Sequence, residues 1–311
     1  MSIVNNGIYP AVITPYNKNG QVDVGALHAL TEWYAEKGCQ GAFAACLSSQ
    51  IFGSATAEPM SLADRQRITT EMIKVAPANM DIVTSGHIRQ VSPQGLYELQ
   101  AMADTGAKAL VLIANCLAQQ EDDEDILRRN LYAVMEAIPD MDLGLYECPV
   151  PYRRLLSPEL LGEMAKTGRF VFVKETSCVP SVLRQKLEAT KGTRMKIFNA
   201  NSVSLLSSVK DGAAGLCGVM ANFHPDLYVK LLELADTDPA AAQELQEELS
   251  VLSILSYEDY PISAKAYLRL EGLPFEAVGV RGCPEAVPSE LTMMEMEHRY
   301  ALTCRLREKW L

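Results

Sequence analysis

The sequence contains no Cys-x-x-C, no two histidines at metal-ligand spacing and no apolar run of the roughly 18 residues a membrane span needs. Its only histidines are His28, His87, His224 and His298, which disfavours a metal enzyme. Positive charge is short as well: 28 Lys and Arg stand against 39 Asp and Glu, a formal net charge of -11. A nucleic-acid binder needs a basic face, so nucleic acid is not expected as a partner, and neither is a membrane. The opening MSIVNNGIYP has no basic segment followed by a long apolar one, so no signal peptide is expected. The eight cysteines are widely scattered and read as reduced thiols acting as small hydrophobes in a cytoplasmic protein.

The chain does have a core: 48% of its 311 residues are hydrophobic. Short apolar runs alternate with longer helical patterns. The runs are 8–14, 41–46, 81–86, 108–114, 143–148, 170–175, 195–201 and 215–222. Nearly continuous apolar runs of this length suit parallel strands buried on both faces. The segments between them have helical spacing and helix-start signals, such as Ser61 with Asp64 three residues on and the Ser-Pro opening SPQGLYELQ. Eight strand–helix units in order predict a (β/α)8 TIM barrel. No Gly-x-Gly-x-x-Gly follows any run, which disfavours a dinucleotide-binding sheet. The barrel is expected over residues 1–236. A C-terminal helical extension is expected over 237–311, with its first helix across 238–259.

Barrel active sites lie at the carboxyl ends of the strands. Two ends carry titratable groups that suit one reaction: Tyr146 on the fifth strand and Lys174, in FVFVKETS, on the sixth. An amine attacks a carbonyl only as free base, and apolar surroundings favour that form. Phe170 to Val173 make such surroundings plausible. A tyrosine beside the lysine could shuttle protons, and Ser48 and Ser49 could hold a carboxylate. These are the parts of a Schiff-base lyase for a 2-oxo acid, with Lys174 as nucleophile and no metal or organic cofactor. Each part has a plainer reading: a rim lysine, a packed tyrosine, a loop Ser-Ser pair, a His87 bonded to backbone. Glu175 reads as a structural partner in a charge network.

Several motifs strengthen the chemical reading. GIYPAVITPYNKNGQVD, LGLYECP, FVFVKETS, DGAAGLCGVMAN and YPISAKAYLRLEGLP occur in this order across nearly the whole chain. Together they resemble the dihydrodipicolinate synthase/N-acetylneuraminate lyase family. The resemblance implies that Lys174 forms the imine with pyruvate, that Tyr146 is the acid/base tyrosine, and that the protein is a homotetramer or dimer. The carboxylate would be held by Ser48 and Ser49, with help from the backbone near Cys217 and Gly218.

The departures from the family pattern bear on the second substrate. CLSSQ replaces the family's Gly-[TS]-[TS]-Gly-Glu, so Leu47 stands where a relay hydroxyl is expected, and the loop that follows is longer. Asn115 and Cys116 stand where the synthase has a tyrosine pair. Pro151 occupies the place of its carboxylate-binding arginine, with Arg153 and Arg154 just behind. An authentic dihydrodipicolinate synthase is therefore not expected. His87, Asn115, Arg153 and Asn199 are candidates to read another aldehyde or sugar-acid partner. The alternatives are a hydratase or dehydratase of 2-oxo sugar acids using the same imine, and a non-catalytic ligand-binding barrel.

Overall fold

The computed structural model describes residues 4–55, 57–254 and 259–311. Eight strands run in parallel: β1 (Gly7–Pro10), β2 (Gly41–Ala44), β3 (Asp81–Thr84), β4 (Ala109–Ile113), β5 (Leu143–Tyr146), β6 (Phe170–Glu175), β7 (Lys196–Asn199) and β8 (Gly215–Gly218). From β2 to β8 each pairs with the next in sequence, and β8 pairs with β1. The ring closes where Ala11, just past β1, bridges Phe43 of β2 and the Val12 amide donates to the Phe43 carbonyl at 3.0 Å. This is the (β/α)8 barrel that the alternation of apolar runs and helices predicts.

The helices are α1 (Val24–Glu36), α2 (Leu62–Val75), α3 (Pro93–Ala103), the single turn α4 (Ala114–Leu117), α5 (Glu124–Ala137), α6 (Pro158–Lys166), α7 (Pro180–Thr190), α8 (Leu205–Lys210) and α9 (Pro225–Thr237). Several of them begin where a side chain can satisfy a free amide of the first turn. Ser61 accepts from the Asp64 amide, Ser92 from Gly95, Asp123 from Ile126 and Ser157 from Leu160. After the barrel come α10 (Pro239–Ser253), α11 (Ile262–Leu270) and α12 (Glu290–Trp310). Residues 255–258, in the first of the helices expected for the extension, lie outside the described residues. α10 packs on α8 and α9, and α12 on α9 and α11. Arg307 ties α12 to the barrel, with its Nε 2.7 Å from Asp226 Oδ2 and its Nη1 2.7 Å from Glu271 Oε1. No described helix is long and apolar enough to cross a membrane.

Several strands are shorter than their apolar runs. The run 215–222 becomes β8 followed by a 3-10 turn over Val219–Asn222, and 41–46 stops at Ala44 because Ala45 turns left-handed (φ 44°). Most of the extra apolar residues remain buried, but in the turns that lie over the carboxyl end of the barrel. Side chains alternate across each strand, so every second residue points inward. Inside, Tyr9, Phe43, Phe172 and Phe198 form an aromatic plug. Phe172 stacks on Phe198 at 4.6 Å, Tyr9 meets Phe198 edge-on at 4.7 Å, and Phe43 lies against Phe172 at 6.1 Å. That plug is the floor on which the site rests.

Candidate active site

Lys174 is two residues beyond Phe172 on β6 and therefore shares its inward face. Tyr146 on β5 is in register with it. The Lys174 Nζ is 4.7 Å from the centroid of the Tyr146 ring and 5.5 Å from that of Phe43. Phe43 in turn meets Tyr146 edge-on at 5.5 Å. Both functional side chains are nearly buried, with Lys174 5% exposed. Among the described residues no carboxylate pairs with Lys174. Burial holds the Tyr146 hydroxyl well above its usual range, with the thiols of Cys148 and Cys46 adding to the effect. Cys148 hydrogen-bonds that hydroxyl, and its own thiol is also raised by burial.

The next residue along each strand faces the other way. Glu147 and Glu175 point out of the barrel, where Lys186 of α7 meets both: Nζ is 2.5 Å from Glu147 Oε1 and 2.8 Å from Glu175 Oε1. The Glu147 carboxylate also accepts from the amides of Leu156 and Thr176. The Thr176 hydroxyl donates to the Glu147 carbonyl at 2.6 Å. This buried cluster pins the two strand ends together and so fixes Tyr146 against Lys174. Two of its members carry a signal in the sequence. Glu147 directly follows Tyr146, and Leu183, Lys186 and Thr190 form the buried stripe of α7.

Lys174 opens into a cavity of about 430 Å³ at the carboxyl end of the barrel, within the size range of small-molecule sites. Ser48, Tyr146, Arg153 and Gly218 line it, together with Leu47, Thr176, Cys178, Val219 and Tyr260. Ser48 lies in a 3-10 turn over Leu47–Ser49, between the left-handed residues Ala45 and Gln50. No hydrogen bond occupies its hydroxyl among the described residues. At Gly218 a Cβ would come 2.9 Å from the Ala200 carbonyl oxygen, so glycine lets the end of β8 pass close to the backbone just beyond β7.

The structure places the remaining candidates away from the cavity lining. The Ser49 hydroxyl donates to the Val12 carbonyl at 2.7 Å and accepts from the Cys46 amide, which shapes the turn under Ser48. Cys217 is in register with Tyr9 inside the barrel, and burial pushes its thiol up to about 12. His87 is fully buried and its Nε2 accepts from the Ile113 amide at 2.7 Å; burial lowers the imidazole to about 4. The Asn115 amide nitrogen lies 2.7 to 2.9 Å from the carbonyls of Cys148, Val150 and Tyr152. It anchors the loop that carries Arg153. Asn199 is in register with the outward Glu175 and binds the hydroxyls of Ser204 and Ser208. Arg153 has no hydrogen-bond or ion-pair partner among the described residues, whereas Arg154 donates to the carbonyls of Gln119, Asp122 and Asp123. Among the described residues, no three of His, Cys, Asp and Glu cluster in a way that could hold a metal ion.

The model of the dihydrodipicolinate synthetase family matches residues 5–281. A 4-hydroxy-tetrahydrodipicolinate synthase from Exiguobacterium sp. is 26% identical over 297 residues, covering 94% of this chain and 97% of that one. An N-acetylneuraminate lyase from Mediterraneibacter gnavus is 24% identical, over 88% of this chain and 85% of its own. Among solved structures, a catalytic lysine mutant of the Ruminococcus gnavus sialic acid aldolase superposes with a TM-score of 0.83 at 22% identity, covering 98% of each chain. At that identity the structural likeness speaks for the fold.

Proposed function

The chain belongs to the dihydrodipicolinate synthetase family, and from that premise we propose that it is a lyase that works through an imine between Lys174 and pyruvate or a related 2-oxo acid. The observation that carries this reading is the Lys174 amine, which has no ion-pair partner among the described residues and faces the cavity, with Lys174 in register with Tyr146 and the amine 4.7 Å from its ring. An amine that faces a cavity beside a phenol is placed to add to a carbonyl drawn into that cavity.

In the proposed reaction the amine adds to C2 of the 2-oxo acid, and the carbonyl oxygen leaves as water. Tyr146 donates a proton to that oxygen and recovers one from the nitrogen, with Cys148 as the hydrogen-bond partner of its hydroxyl. The protonated imine acidifies C3, whose proton is lost to give an enamine. The enamine carbon attacks an aldehyde to form the new carbon–carbon bond, and water releases the product from Lys174. Cleavage runs the same steps backwards. The Ser48 hydroxyl, with the close backbone at Gly218, receives the carboxylate.

Leu47 on the cavity wall and Asn115 in its loop-anchoring role favour a reaction other than the synthase's. No turnover at ordinary enzyme rates is expected with pyruvate and aspartate semialdehyde in a coupled assay. A cytoplasmic homo-oligomer, dimer or tetramer, belongs to the same proposal, and sedimentation tests its assembly. The central experiment is borohydride reduction in the presence of pyruvate, followed by peptide mass mapping. A stable adduct on the peptide containing Lys174 is expected. No adduct with any of several 2-oxo acids would sink the imine mechanism and favour a binding protein.

A further inference from the structure

Resting on the imine chemistry proposed above, we infer that Arg281, in the segment between α11 and α12, is a positioning residue for the 2-oxo acid: it fixes the turn that presents Ser48 to the substrate carboxylate. The side chain reaches back 231 positions from the C-terminal extension. Its Nε donates to the Gln50 carbonyl at 3.1 Å and its Nη2 to the Phe52 carbonyl at 3.0 Å. The Arg281 amide faces the Gln50 side-chain oxygen at 3.4 Å. A guanidinium is a rigid planar fork, so two carbonyls held this way are fixed relative to each other.

Gln50 closes the turn on which Ser48 stands. The turn runs over Leu47–Ser49, and the Gln50 amide donates back to the Leu47 carbonyl at 2.9 Å. Gln50 itself is left-handed (φ 60°), a conformation that a residue with a Cβ keeps only where its surroundings impose it. Before Gln50 the barrel supplies that hold: Thr14 donates to the Ser49 carbonyl at 3.0 Å, and the Ser49 hydroxyl donates to the Val12 carbonyl. After it, Ile51 is buried and its carbonyl accepts from the Met60 amide at 2.9 Å. Between these anchors, Arg281 is the only group among the described residues that donates to the Gln50 carbonyl.

Arg281 is itself built into the extension. Val280 bridges Cys283 across a tight turn, and the Cys283 amide donates to the Val280 carbonyl at 3.0 Å. Just before that turn the Gly279 carbonyl accepts from Lys265 of α11 at 2.7 Å. The extension thus reaches the substrate cavity through one continuous path: α11, the turn over 280–283, Arg281, Gln50 and Ser48. Hydrogen bonds weaken steeply with misalignment. A turn freed on one side therefore holds a carboxylate less well, while Lys174 and Tyr146 stay in place on their own strands.

The test measures borohydride trapping of the imine against ligand concentration, with pyruvate and with acetone, a ketone that has no carboxylate. Arg281→Met should raise the half-saturating pyruvate concentration roughly tenfold, the worth of one hydrogen bond to a charged group. The limiting rate with pyruvate and the rates with acetone should stay at the parent's values. Arg281→Lys keeps the charge but not the fork, and should show the same loss in smaller measure. A parent-like pyruvate curve in Arg281→Met would overturn the inference. So would equal weakening of pyruvate and acetone, which marks general damage to the barrel mouth. Should Arg281→Met fail to fold, Arg281→Lys decides by the same two criteria. No adduct with pyruvate in the parent would instead overturn the reading of Lys174 on which the inference rests.

Discussion

Lys174 and Lys186 serve the same two strand ends from opposite sides. Lys174 points into the barrel, over two aromatic rings and towards an open cavity, with no carboxylate paired to it among the described residues. Lys186 comes in from α7 and holds Glu147 and Glu175, with all three side chains buried. Strand alternation produces the contrast, since moving one residue from Tyr146 to Glu147, or from Lys174 to Glu175, crosses the sheet. Burial alone therefore does not mark a catalytic lysine. The inner lysine has an apolar setting and room for a substrate, while the outer one has charge partners and no room. The outer cluster serves the inner pair by fixing its geometry.

The largest effect should come from the inner lysine. Lys174→Met is expected to lower turnover about a thousandfold or more and to abolish the borohydride adduct. Its thermal unfolding temperature should stay close to the parent's, because Met fills much of the same space and no ion pair is broken. Lys186→Met should behave in the opposite way. It leaves two buried carboxylates without their cation, a change that costs roughly 3–5 kcal/mol. Denaturant titration should show that loss, with turnover falling in parallel as the strand ends loosen. If Lys186→Met were as stable as the parent while inactive, the division of labour between the two lysines would be wrong.

Tyr146→Phe sharpens the comparison from the inner side. The ring stays against Lys174 and Phe43, so the fold should be unaffected, but the proton shuttle is gone. A fall of about a hundredfold in turnover is expected. The adduct should still form, more slowly. Abolished trapping with an intact fold would mean that Tyr146 does more than move protons.

How much of this was legible beforehand follows from the same alternation. The barrel was legible because eight buried strands leave eight apolar runs, each followed by a helical pattern. The strand ends were less so, because residues such as Cys46 and Met220 are buried in turns and look like strand in a one-dimensional reading. Lys174 and Tyr146 were legible as charge and phenol at adjacent strand ends. Asn199 shows where the reading stopped: it lies at a strand end too, but its register with Glu175 rather than Lys174 turns it outward. The orientation of Ser49, His87 and Asn115 depends on hydrogen bonds to carbonyls and amides of other loops, which no local pattern announces. Arg153 and Arg154 are adjacent and identical in type. Only the fold separates the one that faces the cavity from the one bonded to carbonyls 31 to 35 positions away.

A third lysine tests whether burial without carboxylates is enough to change a lysine's charge. Lys265 of α11 is fully buried, donates to the Gly279 carbonyl at 2.7 Å and lies 4.6 Å from the Tyr16 ring centroid. Burial lowers its ammonium group to about 7. An unfolded lysine keeps its proton to about 10.4, so between these values the unfolded chain binds one more proton than the folded one. Stability then rises with pH through this window, and is lost again as pH falls back towards 7. Between pH 7 and 8 the gain from this group is about 1 kcal/mol, the smallest of the effects considered. Chemical denaturation at the two pH values should show a rise in the parent that is absent in Lys265→Met. An identical pH dependence in both proteins would mean that the Gly279 carbonyl and the Tyr16 ring keep the amine charged. Burial beside an aromatic ring would then be insufficient by itself to neutralise a lysine in this fold.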